Sequence, residues 1–343
     1  MTRERSLTTG VRRPRKLRRR DRYARYALIA ASLAAVSLAA SGCTVVHGER
    51  EVLPAATRAE AAKAVEQFTA AYNKADAAYD SSLDAAYTAG ALGAIDAARL
   101  KAGRVNNPGG NPQHTPLVLS DVKYTIVEKA GWPRWFIADA KGSTGNDSRW
   151  LMVFTRGGLA EPWQATYLTL VAPGAVPEFK KDADGFAAAV PADTAELALP
   201  PSDLSKDYAA YLQSGKGVFA DGAYTDVLRD TRAKNTTKPG LVTQFIDQPL
   251  TGGDFGPLAV RTVEGGALVF FATHHYTKQT AAPGVAVPVA NRSVQALTVG
   301  EVKSSLTMEF VSSGVALDPG ATSGSGKVSM VSRLEGLTGA KGE

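Results

Sequence analysis

The chain has one cysteine, Cys43, and its position constrains the fold more than any other residue. One thiol cannot form an internal disulfide, so whatever folds after it must be held by burial and hydrogen bonding alone. Before it stands a leader of two parts. Residues 1–26 carry eleven Lys and Arg against Glu4 and Asp21, and residues 27–42, ALIAASLAAVSLAASG, carry no charge. A basic segment, a short apolar segment and small residues ahead of a cut are the parts of a secretory signal. The uncharged run holds 16 residues, short of the about 20 that a spanning helix needs, so the leader reads as a cleaved signal and not as a transmembrane anchor.

The end of that leader, Leu38-Ala39-Ala40-Ser41-Gly42-Cys43, resembles the lipobox of bacterial lipoproteins, with Ala40 where leucine is usual. The resemblance implies a diacylglyceryl group on the Cys43 thiol and cleavage between Gly42 and Cys43. It gives the lone thiol a purpose, since two acyl chains hold a protein on a membrane where one holds it only marginally. The expected location is the extracytoplasmic face of the cell membrane, with the lipid as anchor. Arg18-Arg19-Arg20-Asp21-Arg22-Tyr23 looks like a twin-arginine signal only faintly, so the export route stays open.

Charge excludes one class of partner. The excess of basic residues belongs to the leader; from Cys43 onward 28 basic side chains face 31 acidic ones. A net charge of −3 leaves no electrostatic footprint for nucleic acid.

Residues 43–56 read as a tether containing His47, followed by a first α+β domain over 57–172. Thr57 and Glu60 form an S/T-x-x-E capping box, and Val65, Phe68, Tyr72, Ala75, Tyr79, Leu83 and Tyr87 recur at helical spacing, with a break expected near Asp80-Ser81-Ser82. A short helix over 90–101 turns Leu92, Ile95 and Leu100 inward. His114 falls in a Gly/Pro/Asn-rich loop and reads as exposed. Four strands follow, at 117–128, 134–141, 149–155 and 163–171, spaced as an antiparallel meander.

Prolines gather over 173–201, which reads as an interdomain linker. Its Lys181-Asp182-Ala183-Asp184-Gly185-Phe186 resembles a calcium loop, but Lys180 and Pro191 stand where acidic ligands belong. A second α+β domain is expected over 202–335, with a tail over 336–343. Ser202-Asp203 and Asp221 are candidate helix caps, and strands are expected at 241–246, 258–264, 267–278, 304–311 and 327–334. The repeated order, and the likeness of 133–143 to 267–277 and of 149–162 to 305–319, read as an internal duplication.

Helices followed by an antiparallel meander resemble the NTF2-like (cystatin-like) family, and the tandem arrangement resembles actinobacterial lipoproteins. That resemblance implies α+β cones with a pocket, used by some members for isomerisation or dehydration and by others only for binding. Enzyme and cofactor signatures are missing: no P-loop, G-x-G-x-x-G, G-x-S-x-G or H-E-x-x-H occurs, and no cofactor is expected. The one histidine cluster is His274-His275, whose rings point to opposite faces of a strand, so one could serve as a general base in the second domain. Trp135 and Trp150 lie on successive strands and are candidate ligand contacts across the meander. The reading is a non-catalytic lipoprotein binding a small ligand or an envelope protein, with an NTF2-like hydrolase or isomerase as the alternative.

Overall fold

The computed structural model describes residues 54–128, 131–289, 291–322 and 326–343. Cys43, Gly42 and His47 lie outside them. Val52–Glu343 form one compact unit.

Helix α1 (Arg58–Ala78) begins at the expected box: Thr57 accepts from the Glu60 amide at 3.1 Å, and the Glu60 carboxylate accepts from the Thr57 amide at 2.8 Å. It stops at Tyr79, which takes the left-handed conformation (φ 49°), and a short 3₁₀ turn over Ser81–Leu83 follows. Helix α2 (Gly90–Asn106) is longer than its apolar pattern suggested. Strands β1 (Leu119–Ile126), β2 (Arg134–Gly142), β3 (Arg149–Arg156) and β4 (Gln164–Val171) form the meander in the order β1-β2-β3-β4.

The second half opens with β5 (Ala189–Val190), α3 (Pro201–Ser214) and α4 (Asp226–Lys234). Neither helix uses the expected cap. Pro200 and Pro201 start α3, where a missing amide costs nothing, and Thr225 precedes α4 without a side-chain cap. Next come β6 (Thr237–Lys238), β7 (Leu241–Leu250), β8 (Leu258–Arg261), β9 (Ala267–Ala281), α5 (Arg292–Leu297), β10 (Thr298–Val299), β11 (Ser305–Asp318) and β12 (Ser329–Gly342). The second sheet runs β10-β12-β11-β9-β7-β6, with β8 sharing the β9 edge beside β7. Residues 336–342, expected as a tail, continue β12, and Ala340 is buried.

The central strands of the sheets are buried on both faces. Phe136, Ala138, Ala140, Met152 and Phe154 turn to α1 and pack with Phe68 and Trp163. Their neighbours Trp135, Ile137, Leu151, Val153 and Tyr167 turn the other way, onto Val260, Leu268, Phe270, Ala272, Val311 and Val315 of the second sheet. Phe271 and Val269 look outward from there, onto Leu204, Tyr208 and Leu212 of α3. The order of layers is helix, sheet, sheet, helix. Phe270 and Phe271, adjacent on β9, therefore serve two different layers.

The proline-rich stretch over 173–201 is not a free connection. The Ala187 amide donates to Ile126 and its carbonyl accepts from Glu128, at 2.9 and 3.0 Å, while Lys180 donates to Arg261 and Val190 pairs with Ala259. It stitches the edge of the first sheet to the second. The calcium-like loop within it is an Asx turn, with the Asp182 carboxylate accepting from the Asp184 and Phe186 amides.

Candidate functional site

Where α2, the edge strand β4, α5 and β12 meet, they leave a cavity of about 380 Å³. Close approach of backbone shapes it. A Cβ at Gly336 of β12 would lie 2.3 Å from Ile95 of α2, so only glycine lets the helix lie this near the strand. At the helix start a Cβ at Gly90 would lie 2.5 Å from the Asp254 carbonyl, and Gly90 also has φ +53°. The walls are mostly apolar, with Leu92, Leu168, Leu170, Leu297 and Leu337 among them, and Trp150 closes one side.

The polar lining comes from several elements, with Ser293 of α5 and Glu335 of β12 beside the groups of α1 and α2. Asp96 and Arg99 of α2 and Tyr72 of α1 line the cavity. Asp96 is only 3% exposed; its Oδ1 accepts from Arg99 Nε at 2.8 Å, and Arg99 Nη1 donates to Asp76. Asp76 also accepts from Asn111 at 2.9 Å and meets His114 Nδ1 at 2.7 Å. Burial alone would raise the Asp76 pKa, but the bonds from His114, Arg99 and Asn111 outweigh it and hold it below the usual carboxylate value. His114, expected exposed, is thus half-buried and tied to a helix. Burial first, and then the Asp96 carboxyl beside it, push Asp84 well above the ordinary range. Burial likewise pushes the Tyr72 phenol up to about 12, so it stays a neutral hydroxyl.

The residues singled out from the sequence are scattered. Trp150 lines this cavity and donates from Nε1 to the Thr144 carbonyl at 3.0 Å. Trp135 does not join it. The register sets Trp135 opposite Thr155 and Trp150 opposite Ala140, so the two indoles face different layers and are not cross-strand neighbours. Trp135 instead borders a second cavity, of about 320 Å³, with Trp132, Arg134 and Glu128.

The histidines do part to opposite faces. His274 meets the Tyr276 hydroxyl at 3.3 Å, and burial lowers its pKa. His275 is buried, stacks on Phe310 with ring centroids 4.6 Å apart, and stands 2.9 Å from Glu335 Oε2. Glu335 in turn pairs with Arg333. Glu335 also borders the large cavity, while its Oε2 is held by His275 and Arg333. His275 itself is not among the residues lining the cavity. Among the described residues no cluster of three or more His, Cys, Asp or Glu has the arrangement of a metal site.

The Asp96 and Arg99 pair was legible in part. Leu92, Asp96 and Arg99 share a helix face by their spacing, and a carboxylate on an otherwise apolar stripe signals a buried polar contact. Nothing in the local sequence announces Asp76, Asp84 and His114 as its neighbours.

Comparison with known proteins decides the family. The chain belongs to the DUF8094 family, a domain of unknown function whose model matches residues 52–342. It is 62% identical over 338 residues to an uncharacterised lipoprotein of Streptomyces coelicolor, covering 98% of this chain and all of that one. It is 54% identical over 331 residues to an uncharacterised lipoprotein of Streptomyces avermitilis, covering 96% and 99% of the two chains. No solved structure matches. The family domain spans both sheets, which accords with their shared apolar layer.

Proposed function

We propose that the protein is a lipoprotein held at the extracytoplasmic face of the membrane through Cys43, and that its folded part is a non-catalytic module binding a small, largely apolar molecule. The observation that carries the binding reading is the cavity between α2, β4, α5 and β12: mostly apolar walls with a few polar groups among them are the usual form of a small-molecule site. The anchor reading is supported by the leader and by the printed names of the two Streptomyces relatives. Among the described residues no helix is long and apolar enough to cross a membrane.

The alternative, a hydrolase or isomerase with a histidine base, draws on the 2.9 Å contact between His275 and Glu335. A general base must reach its substrate, and His275 is buried, does not line the cavity and has its Nδ1 held by Glu335. The binding reading is the stronger one for that reason. An NTF2-like cone would place a pocket inside one half, whereas this cavity needs both.

Two measurements test the proposal. Mass spectrometry of the membrane fraction is expected to find a diacylglyceryl group at Cys43; an unmodified thiol on the full-length chain defeats the anchor reading. For the cavity, the variant Leu170→Trp fills a half-buried wall position. Ligands that raise the Tm of the wild-type protein are expected to lose that effect in the variant. Equal stabilisation of both proteins places the site elsewhere.

A further inference from the structure

Two arginines meet at one end of the meander without a counterion to spare. Arg134 opens β2 and Arg156 closes β3, and the register sets them directly opposite each other. Each stands two residues from a phenylalanine, Phe136 or Phe154, that turns to α1, so strand alternation gives both the same face. Like charges directly opposite repel. Arg156 is only 9% exposed, yet among the described residues neither guanidinium makes a hydrogen bond. The Nε of each is buried without a partner; the terminal nitrogens are not buried, so the open ends of both forks can be reached.

Glu60 is the one described carboxylate in ion-pair range, with Oε1 3.7 Å from Arg156 Nη2, too far for a hydrogen bond. Its Oε2 is taken by the Thr57 cap. The Thr57 amide first, and then Arg156 and Arg134, hold the Glu60 carboxyl below its ordinary value, so two cations act on one anion. Trp132 lies 4.9 Å from the Arg134 guanidinium and Trp163 lies 4.6 Å from that of Arg156. Such stacks cover the face of a guanidinium and leave its N–H edge free.

We infer that Arg134 and Arg156 form a binding site for a phosphate group. Water can satisfy a donor but cannot cancel the surplus charge. The two forks come from neighbouring strands, and a tetrahedral phosphate offers oxygens to both where a planar carboxylate matches one. The membrane is a source close by. Arg134 borders the second cavity together with Ala55, Glu128 and the half-exposed Trp132, and there the Ala55 amide donates to the Val127 carbonyl at 2.9 Å. Ten residues separate Cys43 from Pro54, a span of at most about 40 Å, and an exposed Trp suits the headgroup layer. The site is separate from the cavity between α2 and β12, and rests on the anchor reading only for the source of its phosphate.

Calorimetry on the full-length Cys43→Ala protein in nonionic detergent, with glycerol 1-phosphate and acetate as probes at equal ionic strength, tests the site. Glycerol phosphate is expected to bind at least about tenfold more tightly than acetate. Arg134→Gln and Arg156→Gln should each weaken it about tenfold or more, and the leader, common to all these proteins, cancels in the comparison. Should Arg156→Gln fail to fold, the less buried Arg134→Gln decides the matter. Affinity within about twofold of the parent in a folded variant, acetate as tight as glycerol phosphate, or no saturation by about 10 mM overturns the inference. Micelles doped with phosphatidylglycerol, or to the same charge with oleate, then identify the source. Glycerol phosphate affinity lost with the phospholipid alone shows a lipid headgroup in the site; affinity equal in both shows that the site takes soluble phosphate. Because this protein lacks the Cys43 thiol, failure here leaves the anchor reading standing, and an unmodified Cys43 in the membrane fraction leaves the phosphate site standing.

Discussion

Asp318 shows how one buried side chain can set the pH response of the whole protein. It is 1% exposed, and burial raises its pKa from 3.8 to about 7, offset only in part by the Leu199 and Ala198 amides. Below pH 3.8 the carboxyl is protonated whether the chain is folded or not. Between there and about pH 7 the unfolded chain ionises while the folded one keeps its proton, so stability falls as pH rises, and the loss is complete above the folded value. Asp318→Asn removes the ionisation and is expected to be the more stable protein near neutrality, by on the order of 2 kcal/mol once relaxation around the charge is allowed for. Chemical denaturation of both proteins at several pH values checks it; parallel curves from pH 4 to 8 would show that the carboxyl ionises without penalty. Neither this carboxyl nor Asp84 could be found from sequence, because burial by the folded chain is the main cause of both shifts. Thr57 was legible by contrast, since its partner stands three residues away. Thr57→Ala should cost about 1 kcal/mol.

At the scale of elements, the contact of α2 with β12 is the one on which the cavity depends. Gly336→Val puts a branched side chain where Ile95 already stands 2.3 Å from the site of a Cβ. The helix must move or the strand must bend, at a cost of about 1–3 kcal/mol, and ligand-dependent stabilisation should disappear with it. Unchanged binding in a folded Gly336→Val protein would show that the cavity is not the site. The meander β1 to β4 could be placed within a residue or two because turn residues bracket each β-branched or aromatic run. The burial of β2 on both faces was also written in it: Trp135-Phe136-Ile137-Ala138 has no polar alternation, the pattern of a strand covered on each side. What cannot be read from one run is which element covers it. The paired segments 133–143 and 267–277, and 149–162 and 305–319, do form neighbouring antiparallel strands in their own sheets, yet the second sheet adds a parallel edge at β10 that the first lacks.

For the whole molecule, the layers argue that the two halves fold as one. Tyr167 of the first sheet is fully buried and its hydroxyl donates to the Gly256 carbonyl at 2.9 Å; Thr169 and Ser332 share a hydrogen bond of 2.6 Å. Pulled apart, each half would expose the central apolar face it now hides. We therefore expect a protease cut between residues 172 and 202 to leave no separately folded fragment. Tyr167→Ala should cost about 3–5 kcal/mol and lower a single melting transition rather than one of two. Survival of either half after cutting would restore the picture of two independent domains. The hydrogen bond between Thr169 and Ser332 joins residues 163 apart in sequence, and contacts so distant must be closed against chain entropy before they give anything back. Refolding from denaturant should accordingly be slow for a chain of this size, and until the central layer closes, neither sheet has anything to shield its apolar face from other unfolded copies.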